Sequence, residues 1–146
     1  MNKKLKFLFV CFLLAILAAP GLHPAFAQED DHLHVGVDIK PGSYPNAINL
    51  KSTGSVPVAL LGSADFDVTS VNTATVKFGK MHDEEHGASP LRFAPEDVDG
   101  DGYMDIVFHF KIQETGLEPS DTMACLHGMT LDGVHFCGHD SVKIIG

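Results

Sequence analysis

Apolar and polar residues alternate with a period of two along most of the chain beyond residue 32. Leu33, Val35, Val37 and Ile39 alternate with His34, Gly36 and Asp38, the pattern of a half-buried strand. Pro41-Gly42-Ser43 and Tyr44-Pro45-Asn46 mark turns. Ala47 to Leu50 and Ser55 to Leu61 read as two more strands. Pro57 has no N–H to give a ladder, which places its segment at an edge or a bulge. Thr73 to Phe78, Leu91 to Phe93, Met104 to Ile112, Met123 to Met129 and Ser141 to Ile145 continue the series, with Met104 to Ile112 the strongest. Helical spacing is confined to a short turn at Asp65 to Val71. The pattern predicts an all-β fold, an Ig-like antiparallel β-sandwich of about seven to nine short strands, in preference to a closed barrel.

The first residues follow a different logic. Lys3, Lys4 and Lys6 precede an apolar run from Phe7 to Ala19, and Ala25-Phe26-Ala27 supplies small residues for cleavage. This is the composition of a secretory signal peptide over residues 1–27. Leu8-Phe9-Val10-Cys11 lacks the small residue that precedes a lipidated cysteine, so a lipoprotein leader is excluded. The expected product is a single β-sandwich domain over residues 28–146, secreted or periplasmic/extracellular. No later segment approaches the roughly 18 to 20 apolar residues of a membrane span. All 19 acidic residues follow the leader and three of the ten basic ones lie within it, which leaves a formal charge of −12. Nucleic acid and anionic membranes reward basic patches and are poor partners for such a surface. The absence of Trp weighs modestly against a sugar-stacking face.

The run Asp97-Val98-Asp99-Gly100-Asp101-Gly102-Tyr103-Met104-Asp105 carries the clearest chemistry. Carboxylates stand at loop positions 1, 3, 5 and 9, with glycine at position 6. Ca²⁺ takes about six to eight oxygen ligands, and a glycine permits the sharp turn that wraps them around it. Where an EF-hand loop ends in a bidentate Glu, this chain has Phe108, so the second half is strand-like and Asp105 stands in for that ligand. Ca²⁺ is therefore the expected bound ion, and it would stabilise the fold.

Cysteine usage agrees with export. Beyond Cys11 only Cys125 and Cys137 remain, an even number for an oxidising compartment, and a disulfide is expected. A loop of about 13 residues closed in this way would contribute on the order of 3 kcal/mol. Asp132-Gly133 suggests a two-residue hairpin turn, yet that register sets Cys125 opposite Asp140 and Cys137 opposite Gly128. A bridge directly across the hairpin needs a connection centred on Leu131, so a loop wider than two residues is expected.

Several segments together resemble a family of small exported bacterial and archaeal domains. They are Val37 to Ser43, Pro45 to Leu50, Val56 to Gly62, Phe66 to Thr69, Thr75 to Gly79, Glu96 to Asp105, and Ala124-Cys125-Leu126 with Asp140-Ser141-Val142. The similarity runs from about residue 35 to 145. It implies a domain found alone or attached to larger exported proteins, and it implies no particular activity. One departure concerns the second cysteine, which in that family often directly precedes Asp-Ser; His139 holds that place here and Cys137 lies two residues earlier. The Asp loop separately resembles the calcium loops of integrin-type propeller blades and thrombospondin-type repeats. That similarity implies ligation by Asp97, Asp99, Asp101, the Tyr103 carbonyl and Asp105.

Other constellations are weaker. Cys125-Leu126-His127 and Cys137-Gly138-His139 form two Cys-x-His pairs that would suit tetrahedral Zn²⁺, but residues two apart on a strand are more widely spaced than zinc clips favour. His82-Asp83-Glu84-Glu85-His86 departs from H-E-x-x-H, and Gly87 and Pro90 disfavour a helix there; it reads as a solvated acidic loop. No G-x-S-x-G elbow and no phosphate-cradling glycine loop is present. The expected function is a secreted, calcium-stabilised binding or structural module without catalytic activity, whose partner is a protein or a glycan. A small exported metal-dependent hydrolase and a His-rich metal-sequestering protein are the alternatives.

Overall fold

The computed structural model describes residues 31–146. The signal peptide expected over residues 1–27 lies outside the described residues. Ten strands follow in order: β1 (Leu33–His34), β2 (Gly36–Ile39), β3 (Ala47–Asn49), β4 (Ser55–Leu61), β5 (Val71–Lys80), β6 (Pro90–Glu96), β7 (Asp105–Lys111), β8 (Met123–Thr130), β9 (His135–Ser141) and β10 (Lys143–Ile145). They form two four-stranded sheets, ordered β1-β9-β8-β5 and β2-β4-β7-β6, and a small β10-β3 pair. The expected all-β sandwich is found, with ten strands in place of seven to nine. Two short pairs, β1 with β9 and β10 with β3, run parallel.

The core lies between the two large sheets. Val56, Val58 and Leu60 of β4 and Phe108 and Phe110 of β7 meet Val76 and Phe78 of β5, Leu126 of β8 and Phe136 of β9. Phe78 stacks on Phe110 across the interface with ring centroids 5.2 Å apart. These residues are apolar at every second position of their strands, so one face of each sheet is driven together by the loss of water-exposed apolar area. The one anticipated turn is present as a 3₁₀ segment, Val68–Ser70, whose preceding Asp67 accepts from the Thr69 N–H.

Three local findings depart from the sequence pattern. First, the predicted strand Leu33 to Ile39 is divided between sheets. Leu33 and His34 pair with β9, whereas Gly36 to Ile39 pair with β4. Second, Pro57 lies in a strand with a neighbour on each side, neither at an edge nor at a bulge. Its carbonyl accepts from Lys40 N–H at 2.8 Å, on the side of β2. The N–H and C=O of one residue point to the same neighbour in an antiparallel ladder, and β2 ends at Ile39 as Lys40 turns to φ +55°. Pro57 thus lacks its donor where the partner strand runs out.

Third, the β8–β9 hairpin adopts neither of the two registers considered. Thr130 N–H donates to Val134 O at 2.9 Å and Gly133 N–H to Thr130 O at 2.9 Å, closing a connection of Leu131, Asp132 and Gly133. It is wider than two residues, the width expected for a bridged pair, but it centres on Asp132 and not on Leu131, so the cysteines do not come directly opposite each other. Gly133 takes φ +83°, a left-handed conformation open to glycine without strain. Cys125 therefore faces His139, and Cys137 faces His127.

Candidate metal centre

The Asp loop connects β6 to β7 at one edge of the sandwich, and its carboxylates first organise their own turn. Asp97 accepts from the N–H groups of Gly100 and Gly102, both at 3.0 Å, through separate oxygens. Asp101 Oδ1 accepts from Tyr103 N–H at 2.9 Å. Gly100 and Gly102 take φ +71° and +92°, which the folded-back loop requires.

Asp105 differs from the others because it begins a core strand. It is 0% exposed. Its Oδ1 accepts from Gly62 N–H at 2.8 Å and its Oδ2 from Val98 N–H at 2.9 Å, so one carboxylate holds the loop to the end of β4. Gly62 permits that approach, since a Cβ there would collide with the Met104 carbonyl.

Carboxylate oxygens of Asp97, Asp99 and Asp105 lie within 4.8 Å of one another. Partial desolvation, together with the charge of Asp105, holds the Asp99 carboxyl above the ordinary carboxylate range. Asp101 stands outside this group and, with Asp99, lines a cleft of about 350 Å³ against His34, Leu61 and Phe66. Tyr103 presents an exposed ring beside Met104, and both line a second cleft of about 240 Å³. Three of the expected ligand residues are thus brought together, with Asp101 and Tyr103 flanking them. The backbone donors Gly62 and Val98 were not legible as parts of the site.

Cys125 and Cys137 are free thiols with Sγ atoms 3.4 Å apart. They occupy diagonal positions on adjacent strands and do not face each other. The acidic loop at His82 to His86 is held by its own contact: Asp83 Oδ1 lies 2.8 Å from His86 Nδ1 and raises the imidazole above its ordinary range. His109, on β7, lies 3.4 Å from Arg92. Burial, and then the Arg92 charge, hold it below its ordinary range.

Among the described residues no helix is long and apolar enough to cross a membrane. No protein-family model matches the chain, and a search of curated proteins finds no significant match.

Proposed function

We propose that this chain is an exported β-sandwich module whose Asp97 to Asp105 loop binds Ca²⁺, and that it serves as a binding or structural domain and not as an enzyme. The observation that carries this reading is the buried Asp105 carboxylate with Asp97 and Asp99 oxygens within 4.8 Å. Like charges held this closely repel, and burying one of them deepens the cost unless a cation compensates. A hard divalent ion with oxygen ligands does so. Asp101 and the Tyr103 carbonyl would complete the shell as the loop tightens.

The exposed surface near the loop suits a partner. Glu96 of β6 pairs with Asp105, so the edge strand β6, with Leu91 and Phe93 exposed, leads directly to the loop and its exposed Tyr103 and Met104. Apolar side chains beside an unpaired strand edge favour association with a protein segment.

Thermal unfolding with calcium and with EDTA tests the reading. Extracellular calcium modules bind at about 10⁻⁴ to 10⁻³ M, and ligand at 100 times the dissociation constant adds about 2.7 kcal/mol by linkage. Asp99→Ala or Asp101→Ala should abolish the calcium-dependent rise in Tm, and Asp83→Ala in the acidic loop should leave it intact. An EDTA-insensitive Tm for the unaltered protein would refute calcium binding.

A further inference from the structure

The outward face of the β1-β9-β8-β5 sheet carries a second set of metal-ligating side chains. On β8, Ala124 and Leu126 belong to the core, so alternation sends Met123, Cys125, His127 and Met129 to the opposite face. On β9, Phe136 belongs to the core, and His135, Cys137 and His139 point the other way. The register makes these two rows one array. Cys125 faces His139, and His127 faces Cys137. Two cysteines and two histidines therefore occupy alternate corners of a cross-strand square, whose facing Cα atoms are about 4.5 to 5.5 Å apart.

The sulfurs meet across the diagonal of that square, 3.4 Å apart. Diagonal neighbours on adjacent strands have Cα atoms about 7 to 8 Å apart, beyond the roughly 4.4 to 6.8 Å that a disulfide spans. Two thiolates on one tetrahedral metal, with bonds of about 2.3 Å, stand about 3.8 Å apart. The 3.4 Å separation of the sulfurs is close to that of two thiolates on one metal, so a slight opening makes half of a metal site.

His127 supplies the independent observation. Its Nε2 is buried and has no hydrogen-bond partner. Buried polar nitrogens are nearly always paired, and an orphan calls for a missing partner. Glu84, on the β5–β6 loop, places its charge near both Cys125 and His127 and lies 3.8 Å from His32.

We propose that Cys125, Cys137, His127 and His139 form a site for a thiophilic d¹⁰ cation, Zn²⁺ or Cu⁺. Thiolate with imidazole is the ligand chemistry of both ions. The donor atoms have not converged to the 4.8 Å spacing of the Asp cluster, so closing the site requires rotation of the imidazoles about χ1. Each thiol releases its proton to solvent as its sulfur takes the metal. The site lies on the other sheet from the Asp loop and does not depend on the calcium reading.

The test uses the protein recovered after export, kept under reducing, oxygen-free conditions and titrated with Zn²⁺ and with Cu⁺ against a chromophoric chelator. One equivalent of at least one of the two ions should bind tighter than micromolar. Cys125→Ser and Cys137→Ser should each weaken binding at least 100-fold, His127→Ala and His139→Ala about 10-fold or more, and Asp99→Ala not at all. Co²⁺ should develop a thiolate charge-transfer band, and bound metal should protect both thiols from alkylation, a readout that needs no variant. Binding of Zn²⁺ alone or of Cu⁺ alone would identify the ion within the proposal. Absence of tight binding of either ion, a Co²⁺ complex without the thiolate band, or a Cys125–Cys137 disulfide found by mass spectrometry in the exported protein would overturn it.

Discussion

Gly62 N–H donates to Asp105 Oδ1 at 2.8 Å, across 43 positions of sequence, and ties the end of β4 to the last carboxylate of the Asp loop. Asp105 thus does structural work before any ion arrives. Asp105→Ala would leave the N–H groups of Gly62 and Val98 without their carboxylate partner. An unsatisfied buried group costs about 1 to 3 kcal/mol. A loss of about 3 kcal/mol is expected for Asp105→Ala in EDTA, against about 0.5 kcal/mol or less for the exposed Asp101→Ala. Urea unfolding of both variants without calcium checks the difference, and equal losses would sink the claim.

A second carboxylate joins distant elements in the same manner. Asp140 Oδ2 accepts from Ile39 N–H at 3.0 Å and from Asn46 Nδ2 at 3.1 Å, and Oδ1 accepts from Ser141 N–H at 2.8 Å. Asn46 is buried, and its amide also donates to Ser141 O at 2.9 Å. Asp140→Ala should therefore cost about 2 to 4 kcal/mol, since hydrogen bonds to charged groups contribute roughly 1.5 to 3 kcal/mol each and are not additive. Asp140→Asn keeps one acceptor oxygen and should lose less. Denaturant midpoints of the two variants give the ordering.

Much of this fold was legible in the alternation of side chains, and what escaped has identifiable causes. The predicted Ser55 to Leu61 matches β4, and β7 and β8 fall within one residue of the predicted ends, because branched and aromatic residues hold the inward positions there. β9 was implied by the hairpin turn at Asp132-Gly133 but was not bounded as a strand of its own. Phe136 is its one large core side chain, and histidines, Cys137 and Gly138 occupy the remaining central positions. The split at Val35 was invisible for a different reason: alternation reports which face a residue takes, not which strand it pairs with. The Asp loop was readable from spacing alone, whereas Gly62 carries no local signal because its role is set by a contact far away in sequence. The Cys/His square likewise depends on register, which the three-residue loop fixed and Asp132-Gly133 alone did not.

The two loop and strand histidines should titrate on opposite sides of their ordinary value of 6.5. His86 gains a carboxylate partner and its folded pKa is raised. Its contribution is present below 6.5 and is lost as pH rises through the raised folded value. Asp83 is lowered chiefly by its hydrogen bond with His86, so its share is present above 3.8 and is lost as pH falls through the depressed value. The pair is therefore at full strength between about 3.8 and 6.5. His109, held down by burial and Arg92, shows the reverse and favours the folded state more above 6.5 than below it. NMR titration of the ring protons gives both midpoints, and a His86 midpoint at or below that of His109 would contradict the arrangement. Asp83→Ala should return His86 toward 6.5 and leave His109 unmoved.

The change of sheet at Val35 rests on the absence of a side chain at Gly138. Val35 N–H donates to Cys137 O at 3.0 Å, the last ladder bond before the chain leaves β9 for β4. At that crossing the backbone passes so close to β9 that a Cβ on Gly138 would collide with the Val35 carbonyl and with Val37 Cγ2. Neither can retreat cheaply, since Val37 packs in the core and Val35 is fixed by its hydrogen bond. Gly138→Ala should therefore destabilise the domain by about 1 to 3 kcal/mol, the usual cost of overpacking. Gly42→Ala serves as the contrast, because nothing lies within 4 Å of a Cβ there and only its φ of +88° is strained. Hydrogen exchange separates the two mechanisms. Gly138→Ala should expose the Val35 amide and the β1–β9 pairing selectively, while Gly42→Ala should leave that region protected. Intact protection of Val35 in Gly138→Ala would show that the crossing does not require glycine.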